Sequence, residues 1–157
     1  MIDAKRRILL KGSLAAGSVG VAIGAGILSP RLVLATWNEA AFQAKDIPAA
    51  LTSLLGSDAM ETSDAIQIKA PDIAENGAVV PVTVETNLEG VKSISIIAAG
   101  NATPLIGSFD LGASAVPFVS TRIKMGKTAD VIAVVQTGDK LLSNAKNVKV
   151  TIGGCGG

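Results

Sequence analysis

From residue 64 onward, apolar and polar residues alternate along the chain with a period of two. The alternating runs are residues 66–69, 80–84, 93–98, 119–124, 131–135 and 148–152. Turn-forming residues separate them at 75–77, 88–90, 100–101, 126 and 137–139. Such short strands can each bury one face against an opposite sheet, so the pattern predicts a mainly β fold, an immunoglobulin-like antiparallel β-sandwich. Because proline cannot donate to a strand ladder, we expect Pro81 and Pro117 at sheet edges or strand starts.

The residues before these strands follow a helical period instead. Alanines recur at helical spacing from Trp37 to Ala44, and leucines do so from Pro48 to Leu55. Pro48 is expected to divide the stretch into two short helices, and Gly56 to end the second.

The N-terminus has the order of an export signal: a basic stretch, an apolar stretch and a small-residue exit. Residues 5–11 read KRRILLK and contain the twin arginines Arg6 and Arg7. A Gly/Ala-rich apolar segment follows, and the exit Val-Leu-Ala ends at Ala35. The paired arginines and modest hydrophobicity favour the twin-arginine route and hence a periplasmic protein, although Lys5 and Leu9 depart from its usual consensus. The alternative is an uncleaved membrane anchor, which the glycines in the segment disfavour.

Removal of residues 1–35 changes the charge of the chain. The whole sequence has a formal charge of +1, whereas residues 36–157 hold nine Lys/Arg against twelve Asp/Glu, a formal charge of −3. Nucleic-acid binding needs a clustered basic surface, so this composition does not favour it. The predicted organisation is an export signal at 1–35, helices and sandwich at 36–152, and a C-terminal arm at 153–157.

The chain ends in Gly153-Gly154-Cys155-Gly156-Gly157, and Cys155 is its single cysteine. Internal disulfide formation is therefore impossible. Glycine adds no bulk and little stiffness, so the ending is expected to be a flexible arm that presents one sulfur atom. In an oxidising compartment such an exposed thiol is a liability unless it has a use.

The remaining chemistry argues against catalysis by the chain itself. Without histidine, Ser-His-Asp and Cys-His sites and most zinc sites are excluded. A cysteine nucleophile needs a nearby base and a pocket, and the glycine arm supplies neither. Since only the thiolate reacts and a free thiol has a pKa of about 8.5, we expect partners to activate Cys155. Neither a metal nor another cofactor is expected.

Two further points stay open on the residues alone. Cys155 could form a permanent disulfide to another chain, in which case the protein would be an interaction module. Arg122 and Lys124 fit the solvated face of a strand, with anion steering or partner docking as the alternative.

Three stretches resemble one family. The ending VKVTIGGCGG at 148–157 is similar to the carboxyl-terminal signature of SoxY, the sulfur-carrier subunit of the periplasmic thiosulfate-oxidising (Sox) system. Residues 69–82, KAPDIAENGAVVPV, and residues 119–125, VSTRIKM, resemble that family too. With the twin-arginine signal and the first helix, the resemblance covers essentially the whole chain.

The resemblance implies a non-catalytic carrier whose Cys155 binds sulfur intermediates covalently. Gly153, Gly154, Gly156 and Gly157 would form its swinging arm. The implied partners are a SoxZ-type subunit in a heterodimer, a haem cytochrome of SoxAX type, a sulfate-releasing hydrolase of SoxB type and, in some organisms, a sulfane dehydrogenase of SoxCD type. The implied cargo is the sulfur adduct itself.

Overall fold

The computed structural model describes residues 38–151. Two predicted functional segments lie outside the described residues. One is the export signal with Arg6 and Arg7, and the other is the C-terminal arm with Cys155. Trp37 and Ile152, at the ends of the predicted helix and strand, lie outside them as well.

Two short helices open the described chain, as the sequence predicts. Helix α1 spans Glu39–Gln43, and helix α2 spans Ile47–Leu55. The side chain of Asp46 caps α2 by accepting a 2.8 Å hydrogen bond from the Ala49 amide. Gly56 ends α2 in the left-handed conformation, with φ of 79°, and its N–H bonds the Thr52 carbonyl. No helix within residues 38–151 is long and apolar enough to cross a membrane.

Nine strands follow in the described part of the chain. They are β1 Met60–Thr62, β2 Ile66–Lys69, β3 Ile73–Ala74, β4 Val80–Thr86, β5 Val91–Ala98, β6 Leu105–Asp110, β7 Phe118–Ile123, β8 Ala129–Thr137 and β9 Lys140–Val150.

The strands form two sheets. The large sheet has the order β1-β9-β8-β5-β6, with β3 also paired to β9, and the small sheet has the order β2-β4-β7. The pairs are antiparallel except that β1 and β3 run parallel to β9. The predicted mainly β sandwich with short N-terminal helices is confirmed, whereas β1, β3 and β6 were not predicted.

The main core lies between the two sheets. Its largest fully buried side chains come from five strands: Ile66, Val80, Val82, Val84, Ile94, Ile96, Val131, Val135 and Val148. These are the apolar positions of the alternating runs, so the period-two pattern identified this core correctly.

A second core covers the other face of the large sheet, and the alternating pattern did not predict it. Ile97 of β5 and Val134 of β8 belong to one buried cluster with Ala50 and Leu51 of α2. Because the helices cover β5, Ser95 is buried too, and its hydroxyl donates a 3.0 Å hydrogen bond to the Ser108 hydroxyl. Strand β5 is thus buried on both faces, which alternation alone cannot reveal.

The largest difference between predicted and observed boundaries concerns the last strand. The alternation predicts this strand at 148–152, but β9 already begins at Lys140, directly after the turn at Gly138, where φ is 57°. Pro117 precedes β7, and Pro81 is the second residue of β4 at a position where β2 no longer pairs with that strand. Both prolines therefore lie where the ladder tolerates them, as predicted.

Candidate functional site at the C-terminal pole

The predicted functional thiol follows β9, so the site begins where this strand ends. We call this end of the sandwich the C-terminal pole. It consists of residues 72–79, 99–104, 122–130 and 146–151. Hydrogen bonds connect these segments. For example, the Met125 amide bonds the Gly77 carbonyl at 2.7 Å, and the Ala99 amide bonds the Asp130 carbonyl at 3.0 Å.

The end of β9 is held from both sides. On one side the Thr128 hydroxyl accepts a 2.9 Å hydrogen bond from the Val150 amide. On the other side β3 pairs with the strand, and the Thr151 amide donates a 3.0 Å hydrogen bond to the Ala74 carbonyl. Val148 is fully buried in the main core. The backbone is therefore fixed up to Thr151, the last described residue.

Gly77 allows its turn to lie close to Met125 and Val150, and this contact supports the end of β9. A Cβ atom at this position would lie 2.8 Å from Cγ1 of Val150 and too close to the Met125 carbonyl oxygen, at 2.3 Å. Any side chain would push apart the turn, the 124–128 segment and β9. The alternating pattern does not indicate that residue 77 must be glycine. The one sequence signal is the Asn-Gly pair, which is typical of a turn.

Cys155 lies four residues beyond Thr151. A fully extended chain of that length spans at most about 14 Å. The thiol's position is thus limited to a region around the C-terminal pole, and its covalent role stays a prediction at this point.

Charge is distributed unevenly between the ends of the sandwich. At the C-terminal pole the basic residues outnumber the acidic ones: Arg122, Lys124, Lys127, Lys146 and Lys149 against Asp72, Glu75 and Asp130. Lys146 forms a 3.0 Å ion pair with Asp72. The described residues as a whole are acidic, with nine Lys/Arg and twelve Asp/Glu. The region from which the arm emerges is therefore locally cationic on an acidic protein.

The predicted exposed pair, Arg122 and Lys124, lies on the solvent side as expected for a strand face. The structure brings Lys124 beside Lys127 at one groove, and Lys127 was not singled out from the sequence. Asn101 connects the two segments, because its side chain donates to the Lys124 carbonyl at 2.7 Å and accepts from the Gly126 amide at 2.9 Å. Among residues 38–151 no group of three or more acidic, cysteine or histidine side chains is arranged to hold a metal ion.

Comparison with known proteins identifies relatives of the chain. The family model "Sulfur oxidation protein SoxY" matches residues 51–155, a range that includes Cys155. The solved structure of the sulfur carrier protein SoxY from Chlorobium limicola f thiosulfatophilum is 48% identical, with a TM-score of 0.60. That alignment covers 66% of this chain and 94% of the Chlorobium chain.

More distant matches show the fold alone. A superoxide reductase (neelaredoxin) from Ignicoccus hospitalis is 17% identical with a TM-score of 0.52, over 59% of this chain and 95% of the other. A point variant of that reductase is 18% identical with a TM-score of 0.50, over 55% and 80%. No curated protein sequence matches the chain significantly.

Proposed function

Because the chain belongs to the SoxY family of sulfur oxidation proteins and is a sulfur carrier of that family, we propose that Cys155 is where the sulfur is attached. The observation that carries the proposal is the family match, which extends to Cys155, the single thiol of the chain. The fixed end of β9 supports it, since the strand would hold the base of the arm while the glycines leave its sulfur free to enter other proteins.

The proposed reaction begins with thiosulfate. The Sγ atom of Cys155 forms a bond to the outer sulfur of thiosulfate, the thiol proton leaves to solvent, and a haem cytochrome of SoxAX type accepts two electrons. Water then cleaves the terminal sulfur–sulfur bond in a hydrolase of SoxB type. Sulfate leaves, and a persulfide stays on Cys155, which a SoxCD-type dehydrogenase oxidises further where it is present.

In this scheme the chain is a carrier and not an enzyme, and the adduct on Cys155 is its cargo in place of a cofactor. We propose that it works as a heterodimer with a SoxZ-type subunit. The twin arginines Arg6 and Arg7 support export to the periplasm by a route for folded proteins, which would let the two subunits cross together.

Replacement of Cys155 by serine tests the attachment site. Cys155→Ser should abolish thiosulfate-dependent respiration, because serine cannot form the sulfur–sulfur bond. Thermal unfolding should not change, because the core clusters lie within residues 38–151. Ser114→Ala, on an exposed segment at the opposite end of the sandwich, is the matched control and should retain full activity.

Intact mass spectrometry of the protein from thiosulfate-grown cells should show sulfur adducts on Cys155. Retained respiration in Cys155→Ser would contradict the proposal. So would a permanent, near-quantitative disulfide to another chain on non-reducing electrophoresis, which would instead identify an interaction module.

A further inference from the structure

A shallow groove opens at the C-terminal pole between residues 100–103 and 124–127. Two cations, Lys124 and Lys127, line it, and none of its lining residues is acidic. Its polar lining includes Asn101 and Thr103. The groove therefore combines positive charge with neutral hydrogen-bonding side chains, which is the chemistry that binds an oxyanion.

The groove has a fixed base. Asn101 joins its two walls through the hydrogen bonds to the Lys124 carbonyl and the Gly126 amide. Met125, which follows Lys124 and lies two residues before Lys127, is 3% exposed and belongs to the main core. The backbone that carries the cations is thus tied to the interior of the sandwich.

Gly100 makes room for one of the cations. A Cβ atom at residue 100 would lie 3.0 Å from Cγ and 3.3 Å from Cε of Lys127. The aliphatic part of the Lys127 side chain therefore lies across the glycine, at the groove. Within the described residues the ion pairs join Lys69 to Glu85 and Lys146 to Asp72, so neither pair uses Lys124 or Lys127.

The groove is also close to the start of the arm. Thr128, which is adjacent to Lys127, bonds the Val150 amide at 2.9 Å. Cys155 is five residues beyond Val150, and that length of chain spans at most about 17 Å. The arm is long enough to turn back onto the groove.

We propose that this groove receives the arm when the arm carries a sulfonate-ended adduct. This inference rests on the proposed attachment of sulfur to Cys155. The occupant is residues 152–157, with the sulfonate beside Lys124 and Lys127. A neutral adduct or the free thiol lacks the charge that the groove recognises. Docking therefore depends on the cargo, since removal of the sulfonate as sulfate takes away the oxygen acceptors that the lysines bind and favours release of the arm.

The test uses an adduct made chemically on the exported chain. The Cys155 thiolate attacks tetrathionate, a new sulfur–sulfur bond forms, and thiosulfate leaves, so that a thiosulfonate stays on Cys155 without any partner enzyme. Iodoacetamide gives a neutral adduct at the same atom for comparison. Acylation of individual lysines by an N-hydroxysuccinimide ester is then followed by mass spectrometry.

The thiosulfonate should slow acylation of Lys124 and Lys127 by about two- to tenfold, the range expected for one or two surface ion pairs. Lys92 and Lys140, on the opposite end of the sandwich, should react at unchanged rates. The protection should disappear near 1 M salt, where charges are screened within about 3 Å. The neutral adduct should give no protection.

Amide NMR provides a second measurement. Loading with thiosulfonate should shift the amide signals of Asn101 and Gly126, and the shifts should be lost in Lys124→Gln/Lys127→Gln but kept in Lys92→Gln/Lys140→Gln. Equal effects of the charged and neutral adducts, or no protection and no shift, would overturn the docking proposal. Because this adduct is made without the cellular pathway, these results are independent of the respiration test on Cys155.

Discussion

The two ends of the sandwich are built from the same strands but differ in charge. The opposite pole, where β9 begins, comprises residues 61–64, 86–92, 110–118 and 138–140. There the acidic residues outnumber the basic ones: Glu61, Asp64, Glu89, Asp110 and Asp139 against Lys92 and Lys140. The C-terminal pole has the reverse balance. Both ends share one core, so burial of apolar side chains does not explain the difference in charge, and the cationic end is the one from which the proposed carrier arm emerges.

The two poles also differ in how their glycines are used. Gly112 at the opposite pole has open space where a Cβ would lie, whereas Gly77 at the C-terminal pole is enclosed by Met125 and Val150. Close packing thus supports the strand from which the arm emerges, whereas position 112 at the opposite pole has room for a side chain. The predictions below test this contrast from the largest expected effect to the smallest.

The length of the arm should matter for function and not for stability. Deletion of Gly153 and Gly154 shortens the reach of Cys155 by up to about 7 Å. Since misplacement by about 1 Å can already cost two orders of magnitude in a catalytic site, we expect turnover with partner enzymes to fall at least about tenfold. Insertion of two glycines there should also impair turnover. Thermal unfolding should not change.

Insertion of two glycines after Gly138, in the β8–β9 turn of the opposite pole, is the control for this prediction. It should lower stability and leave turnover of the folded protein unchanged. A shift of several degrees in melting temperature on changing the arm would show that the arm is packed against the domain.

Gly77→Ala should destabilise the protein by about 1–3 kcal/mol, the usual cost of forcing an added group into a packed site. The new Cβ meets a backbone carbonyl, which cannot move away like the end of a side chain. Urea unfolding gives the free energy directly. Gly112→Ala is the matched change at the opposite pole and should be neutral or stabilising by up to about 1 kcal/mol. Equal losses at both positions would contradict the contrast between the poles.

Much of the fold could be predicted from periodicity because one face of most strands is buried. Strands β2, β4, β5, β7 and β8 appear near the predicted positions. Strands β1 and β3 have three and two residues, and they exist because β9 offers a partner for pairing, which no local pattern encodes. Strand β6 contains Gly107 in place of a regular alternation, so its pattern was too weak.

The candidate site likewise has one part that the sequence predicts and another that it does not. Cys155 and its glycines could be identified from the sequence because their composition is unusual for a packed segment. The supporting residues could not, because Thr128 and Gly77 act through Val150, and each contact joins distant parts of the chain. Asn101 likewise meets Lys124 and Gly126 only after the sheets have formed. Such contacts depend on tertiary structure, which single-sequence patterns do not record.

The smallest expected effect compares two threonines with similar bonding at opposite poles. The Thr128 hydroxyl bonds the Val150 amide, and the Thr86 hydroxyl donates to the Ala65 carbonyl at 2.8 Å and accepts from the Leu88 amide. Thr128→Val and Thr86→Val each remove hydrogen bonds at nearly constant volume, so each should cost about 1 kcal/mol of unfolding free energy. Exchange of the Val150 amide should accelerate only in Thr128→Val.

The two threonine variants should also differ in their turnover with partner enzymes. If a fixed base guides the arm, Thr128→Val should reduce turnover with partner enzymes modestly, by about twofold, while Thr86→Val leaves it unchanged despite a similar loss of stability. Assays well below the unfolding transition keep both variants folded, so the difference reports on the base of the arm and not on the amount of native protein. An equal reduction in both variants would mean that general stability, and not the tie between Thr128 and β9, governs delivery of the thiol.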